Sequence, residues 1–154
     1  MSKLVALDVV QHVRDACLCL ATQRAARTLA RRFDRAFQPV GLTNGQFSLM
    51  MALGGAGTMR LGDLAEFLAM DRTTLTAALK ALERRGLARS GPDASDRRAR
   101  RLTLTPTGEE TLAAAVPIWR SEHAALEREL AAGEPDRLRA GLALVTRRGA
   151  GEPA

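Results

Sequence analysis

Between Asp71 and Leu104 the spacing of apolar residues changes from that of a helix to that of strands, across a single glycine. Before Gly86, Leu75, Ala78, Leu79 and Leu82 recur at intervals of three and four, the inner stripe of a helix over Arg72 to Arg85. Asp71 suits its N-cap, and Gly86 stands where a left-handed C-cap is needed. After Gly86, Leu87–Ser90 and Arg100–Leu104 read as short strands around the turn-rich run Gly91-Pro92-Asp93-Ala94-Ser95-Asp96. A shorter helix over Leu61 to Leu68 precedes Asp71, with Leu61, Leu64, Ala65 and Leu68 on one face. Two short helices joined by about three residues outline a helix-turn-helix unit, and a hairpin directly after the second helix is a wing. Residues 42–105 are therefore expected to form a winged helix-turn-helix domain.

The flanks predict only helices. Residues 8–38 read as one long helix through Val10, Val13, Cys17, Leu20, Leu29, Phe33 and Phe37, stopped by Pro39 and Gly41. Thr43-Asn44-Gly45-Gln46 fits a capping box that opens a buried helix carrying Phe47, Leu49, Met50, Met51 and Leu53, stopped by Gly54, Gly55 and Gly57. Thr105-Pro106 begins another helix, expected to run to about Ala132 with a kink at Pro117. A last helix spans Asp136 to about Val145, and residues 148–154 read as a disordered tail. The expected fold is mainly α with a small β-hairpin wing. The terminal regions, 8–40 and 106–147, are too amphipathic to stand alone, so an interlocked homodimer is expected to bury them.

Charge directs the reading towards a polyanion. Residues 72–101 hold nine basic and three acidic side chains, and the difference equals the net charge of +6 carried by all 154 residues. Catalysis is not expected, because no Ser/His/Asp set, metal-ligand cluster or phosphate-binding glycine loop is present. No cofactor or metal is expected: Cys17 and Cys19 make no CxxC pair, and His12 and His123 lie far apart. At two residues' separation on a helix the cysteines face apart, and small buried side chains are their plainest role. No apolar run is long enough to span a membrane, and Met1 to Asp15 gains charge too early for a secretory signal, so a cytoplasmic location is expected.

On the helix after Asp71, apolar residues face inward and hydroxyls and cations outward. Arg72, Thr73, Thr74 and Thr76 sit where a recognition helix meets base edges, and Lys80, Arg84 and Arg85 where it meets phosphates. The turn carries Asp96-Arg97-Arg98, a tip suited to a narrow minor groove, with Asp96 placed to orient Arg98. A winged-helix module making only protein contacts is the remote alternative, and it would not need so many cations on one helix and hairpin.

The segments DRTTLTAALKALERRGL, DASDRRARRLTLTPTG, VPIWR and GLTNGQFSLMMAL together resemble the multiple antibiotic resistance regulator (MarR) family over about residues 10–147. The resemblance implies an obligate homodimer on a pseudo-palindromic operator of double-stranded DNA, with Arg98 in the minor groove and Asp96 its partner. It also implies a signal received where the dimerisation arm meets the DNA-binding lobe. The first candidate is a small lipophilic or aromatic anion in a pocket lined by His12, Phe47, Met50, Met51 and Trp119, with Arg24 or Arg27 nearby. The same Met and Trp residues would also suit plain core. The second is oxidation of Cys19, which lies 22 residues before Gly41. That position resembles the reactive cysteine of the family's organic-hydroperoxide sensors, although this chain has no Tyr to bond the sulfur.

Overall fold

Three side-chain caps fix where the helices of the central lobe begin. The computed structural model describes residues 5–93, 95 and 100–149. At Thr43 the capping box is complete: Thr43 Oγ1 accepts from the Gln46 amide at 3.2 Å, and Gln46 Oε1 accepts from the Thr43 amide at 3.1 Å. It opens α3, Asn44–Ala56. Asp71 opens α5, Arg72–Arg84, by accepting from the Thr74 amide at 2.8 Å. Thr105 opens α6, Pro106–Arg128, by accepting from the Gly108 amide at 3.0 Å, with proline at the first helical position. Between these lie β1 (Met59–Arg60), α4 (Leu61–Phe67), β2 (Ala88–Pro92) and β3 (Arg100–Leu104).

The strands form an antiparallel sheet in the order β1-β3-β2, with Met59 opposite Leu102 and Ala88 opposite Leu104. Leu53, Leu64, Leu75, Leu82, Met50 and Phe37, the last at the end of the helix before α3, are fully buried in one core. Phe37 stacks on Phe47 with ring centroids 4.5 Å apart. Gly86 takes φ +68°, so the chain turns from helix to strand at the residue that tolerates this conformation without strain. The fold is mainly helical with a small sheet, as the change of period predicts.

Several boundaries differ from the sequence reading. The first long helix is two: α1, Leu7–Ala16, and α2, Leu18–Ala36. Cys17 breaks it in an extended conformation (φ −74°, ψ 109°), and its Sγ accepts from the Leu20 amide at 3.4 Å as the cap of α2. Gly54 and Gly55 do not stop α3, which runs on to Gly57 at φ +68°. The two residues of β1 were not foreseen. Helix α6 continues through Pro117 and ends at Arg128, short of Ala132, while α7 covers Glu134–Gly149. Residues 148 and 149, expected in a disordered tail, thus end a helix; the rest of that tail lies outside the described residues. Side chains of α1 are exposed throughout, and Leu138, Leu142, Leu144 and Val145 of α7 are exposed in the single chain.

Candidate nucleic-acid interface

Helix α5 carries its core and its polar stripe on opposite sides. At about 100° per residue, Leu75, Ala78, Leu79 and Leu82 centre on one direction, and Thr73, Ala77, Lys80 and Arg84 centre about 180° away. Leu75, Leu79 and Leu82 are buried, Ala78 is half-buried, and the four residues opposite are all exposed. Ala77 stands in the middle of this outward stripe, an exception to the expectation that the apolar residues of this helix face inward.

Several residues expected to meet nucleic acid already have protein partners. Thr74 Oγ1 donates to Asp71 Oδ2 at 2.6 Å, and Thr76 Oγ1 donates to the Arg72 carbonyl at 2.7 Å. A hydroxyl has one proton to give, so neither is a spare donor. Gln46 Oε1 accepts from Arg85 at 3.1 Å, which ties the end of α5 to the start of α3. Gly62 faces Arg72: a Cβ there would lie 3.3 Å from Nη2, so the guanidinium rests against the start of α4. Lys80 and Arg84 are exposed and have no hydrogen-bond partner among the described residues.

The wing is held at its base by Asp93, a group the sequence reading counted only as turn and charge. Asp93 is 2% exposed. Its Oδ1 accepts from the amide and hydroxyl of Ser95 at 2.8 and 2.7 Å, an Asx turn closed by side chain and backbone together. Its Oδ2 accepts from Arg101 Nε at 2.9 Å and Arg60 Nε at 3.0 Å. The Ser95 bonds first, then the guanidinium groups of Arg101 and Arg60, hold this carboxyl well below the usual carboxylate range against the opposing effect of burial. Arg101 also donates to Thr58 Oγ1 and Arg100 to Ser90 Oγ, so two cations of the basic cluster bind the wing together. Only the Asp-x-Ser turn was local enough to be visible in the sequence. Asp96, Arg97 and Arg98 lie outside the described residues.

The expected ligand-lining residues do not share one opening in the single chain. Phe47 and Met50 are buried in the core, whereas Met51 is 43% and Trp119 36% exposed. Trp119 lies against His123, ring centroids 4.9 Å apart. His12 and Arg24 are exposed on α1 and α2. An open cleft does lie between α2 and α6, lined by Ala36, Pro39, Pro117, Ile118, Ser121 and Glu122. Beside it, Arg32 of α2 is paired with Glu122 of α6 and, at 2.7 Å, with Glu129 at the C-cap of α6. Cys19 is exposed, and its Sγ accepts from Gln23 Nε2 at 3.2 Å. Among the described residues, no cluster of three or more His, Cys, Asp or Glu is placed to hold a metal ion, and no helix is long and apolar enough to cross a membrane.

A helix-turn-helix pair, α4 and α5, followed by a sheet-based wing and flanked by long helices, defines a winged helix-turn-helix protein. The MarR family profile matches residues 42–99, which take in α3, α4, α5 and β2 and stop just short of β3. The Mycobacterium tuberculosis transcriptional regulator MosR, solved in complex with DNA, is 37% identical and superposes with a TM-score of 0.78 over 86% of this chain and 96% of its own. The chain belongs to the MarR family of transcriptional regulators. The transcriptional activatory protein BadR of Rhodopseudomonas palustris is 36% identical over 88 residues, 55% of this chain and 50% of BadR. The Escherichia coli regulator HosA is 39% identical over 77 residues, 50% of this chain and 57% of HosA. The chain thus matches about half the length of these two curated relatives.

Proposed function

We propose that the protein is a homodimeric repressor that binds a pseudo-palindromic site in double-stranded DNA and releases it on binding a small lipophilic or aromatic anion. The observation that carries the DNA-binding reading is the outward stripe of α5, set opposite its core face and beside an anchored wing. In this reading Thr73, Lys80 and Arg84 meet the major groove and its phosphates. Arg72 and Arg85 meet flanking phosphates from positions steadied by Gly62 and Gln46, and Thr74 and Thr76 offer acceptor oxygens. Arg97 and Arg98 reach the minor groove, with Asp96 orienting Arg98. Residues 42–105 are the DNA-binding domain, and 8–40 with 106–147 the dimerisation region. Support for the dimer comes from the exposed apolar side chains Leu7, Val9, Val10 and Val13 of α1 and Leu138, Leu142 and Val145 of α7, which need a cover. The cleft between α2 and α6 is where an anion would act, because it adjoins the Arg32 clasp between those helices. His12, Arg24, Met51 and Trp119 would join such a site only if the second protomer brings α1 to it; Phe47 and Met50 would stay behind it as core.

A mobility-shift assay on a duplex selected from a random pool tests the reading. Salt-dependent binding is expected, with Arg98→Ala weaker by ~1–3 kcal/mol. Unchanged affinity would remove Arg98 from the interface. Repression is tested by transcription from a template carrying the selected site, and activation there would reverse the sign of the action. A second reading, release by oxidation, is favoured by the exposed Cys19 Sγ with an amide donor beside it. If peroxide frees Cys19→Ser from DNA as readily as the parent, that reading fails.

A further inference from the structure

We propose that Ala77 determines sequence specificity by seating its methyl group against the 5-methyl of a thymine in each half-site. The inference rests on the DNA-binding reading above. Ala77 occupies the centre of the outward stripe, one turn after Thr73 and one before Lys80, and is exposed. The neighbouring hydroxyls do not compete for donor-reading at this point, since Thr74 and Thr76 spend their protons on Asp71 and on the Arg72 carbonyl. What the middle of the stripe offers the floor of the major groove is therefore a small apolar surface. Only thymine presents an apolar group there; the other base edges present donors and acceptors. A methyl set against one of those polar edges would strip its water and return no hydrogen bond, whereas against the thymine methyl it removes two apolar surfaces from water. Alanine is also small enough to let the α5 backbone approach closely, so that the flanking Thr73 reaches the adjacent base pair and Lys80 the neighbouring phosphate.

The test uses the full chain and a duplex selected from a random pool. Each thymine is replaced in turn by deoxyuridine, which removes only the 5-methyl group, and affinity is read by fluorescence anisotropy. One thymine per half-site is expected to weaken binding roughly fourfold on replacement, the worth of one buried methyl. At that position Ala77→Gly should no longer distinguish thymine from deoxyuridine. The thymine-to-deoxyuridine ratio is internal to each variant, so a general weakening of the glycine variant does not disturb it. If Ala77→Gly does not fold, Ala77→Ser, which sets a hydroxyl in place of a methyl hydrogen, is held to the same comparison and should lose most of the discrimination. The proposal is overturned if every thymine tolerates replacement, or if the loss persists undiminished in the variants. Failure to enrich any duplex would instead overturn the DNA-binding reading, and this inference with it.

Discussion

Replacing Gly108 by alanine adds one methyl group near the start of α6, and helix propensity alone predicts a gain of up to about 1 kcal/mol. Packing predicts the opposite sign. A Cβ at Gly108 would lie 2.0 Å from the carbonyl oxygen of Leu87 and 2.9 Å from its carbonyl carbon. A carbon–oxygen contact relaxes only near ~3.3 Å, so backbone must separate by more than about 1 Å. That carbonyl accepts from the Thr105 amide at 3.1 Å, and Thr105 both caps α6 and donates to the Gly86 carbonyl. Separation therefore costs about 1–3 kcal/mol for overpacking, about 1–2 for the lost hydrogen bond and about 1 for the weakened cap, offset by the propensity gain. The expected net loss is about 2–5 kcal/mol. At roughly 2–4 °C per kcal/mol for a chain of this size, the melting temperature should fall by about 4–20 °C. Calorimetry at fixed protein concentration reads this, with Gly55→Ala as the control, because nothing lies within 4 Å of a Cβ placed there. The control should melt at or above the wild-type temperature. A Gly108→Ala protein that melts within a degree of wild type would refute the claim that α6 is locked to the start of β2.

Other expectations follow from the same geometry. Asp93→Asn should lower the melting temperature at neutral pH by leaving Arg60 and Arg101 without their shared carboxylate. Because the carboxyl is held below its ordinary value of 3.8, its contribution is present above that pH and fades as the pH falls through the lowered folded value. The gap between wild type and variant in melts from pH 7 downward should therefore persist to about pH 4 and narrow only in stronger acid; a gap that closes by pH 5 would contradict the assignment. Lys80→Ala and Arg84→Ala should each flatten the salt dependence of duplex binding by about one unit of slope, and an unaltered slope removes that residue from phosphate contact. Sedimentation at micromolar protein should give a dimer, whereas a monomer would leave the apolar faces of α1 and α7 unexplained.

How much could be read from the sequence depended on the range of the interaction. Thr43, Asp71 and Thr105 each bond an amide within three residues, so the caps and the change at Gly86 were visible in the order of residue types. The same holds for the core stripe of α5. The break at Cys17 was not visible, because Val13, Cys17 and Leu20 keep helical spacing while the thiol takes the role of a cap. Strand β1 was missed because two residues carry no period; it exists through its register with β3. The largest gap concerned charge. Counting cations could not tell Lys80 from Arg101, since the bond from Arg101 to Thr58 spans 43 residues and no local pattern announces it. The lining of the expected pocket was hard to read for a related reason: helical spacing puts Phe47 and Met50 on the same helix as Met51 without saying which side the core takes.

The bond between Arg85 and Gln46 has a mechanical consequence. The Asn44 amide donates to Asp34 Oδ1 at 2.7 Å, so α2 is pinned to the start of α3, and through Gln46 that same point holds the far end of α5. Helix α5 is in effect a lever whose fulcrum lies at its C-terminal end, beside α2. Its 13 residues make a beam about 20 Å long, so a rotation of about 5° at Arg85 carries the end bearing Thr73 through roughly 2 Å. Hydrogen bonds to base edges do not survive a displacement of that size. Under the proposed DNA-binding reading, a small turn of α2 would be amplified along α5 into loss of register at its N-terminal end.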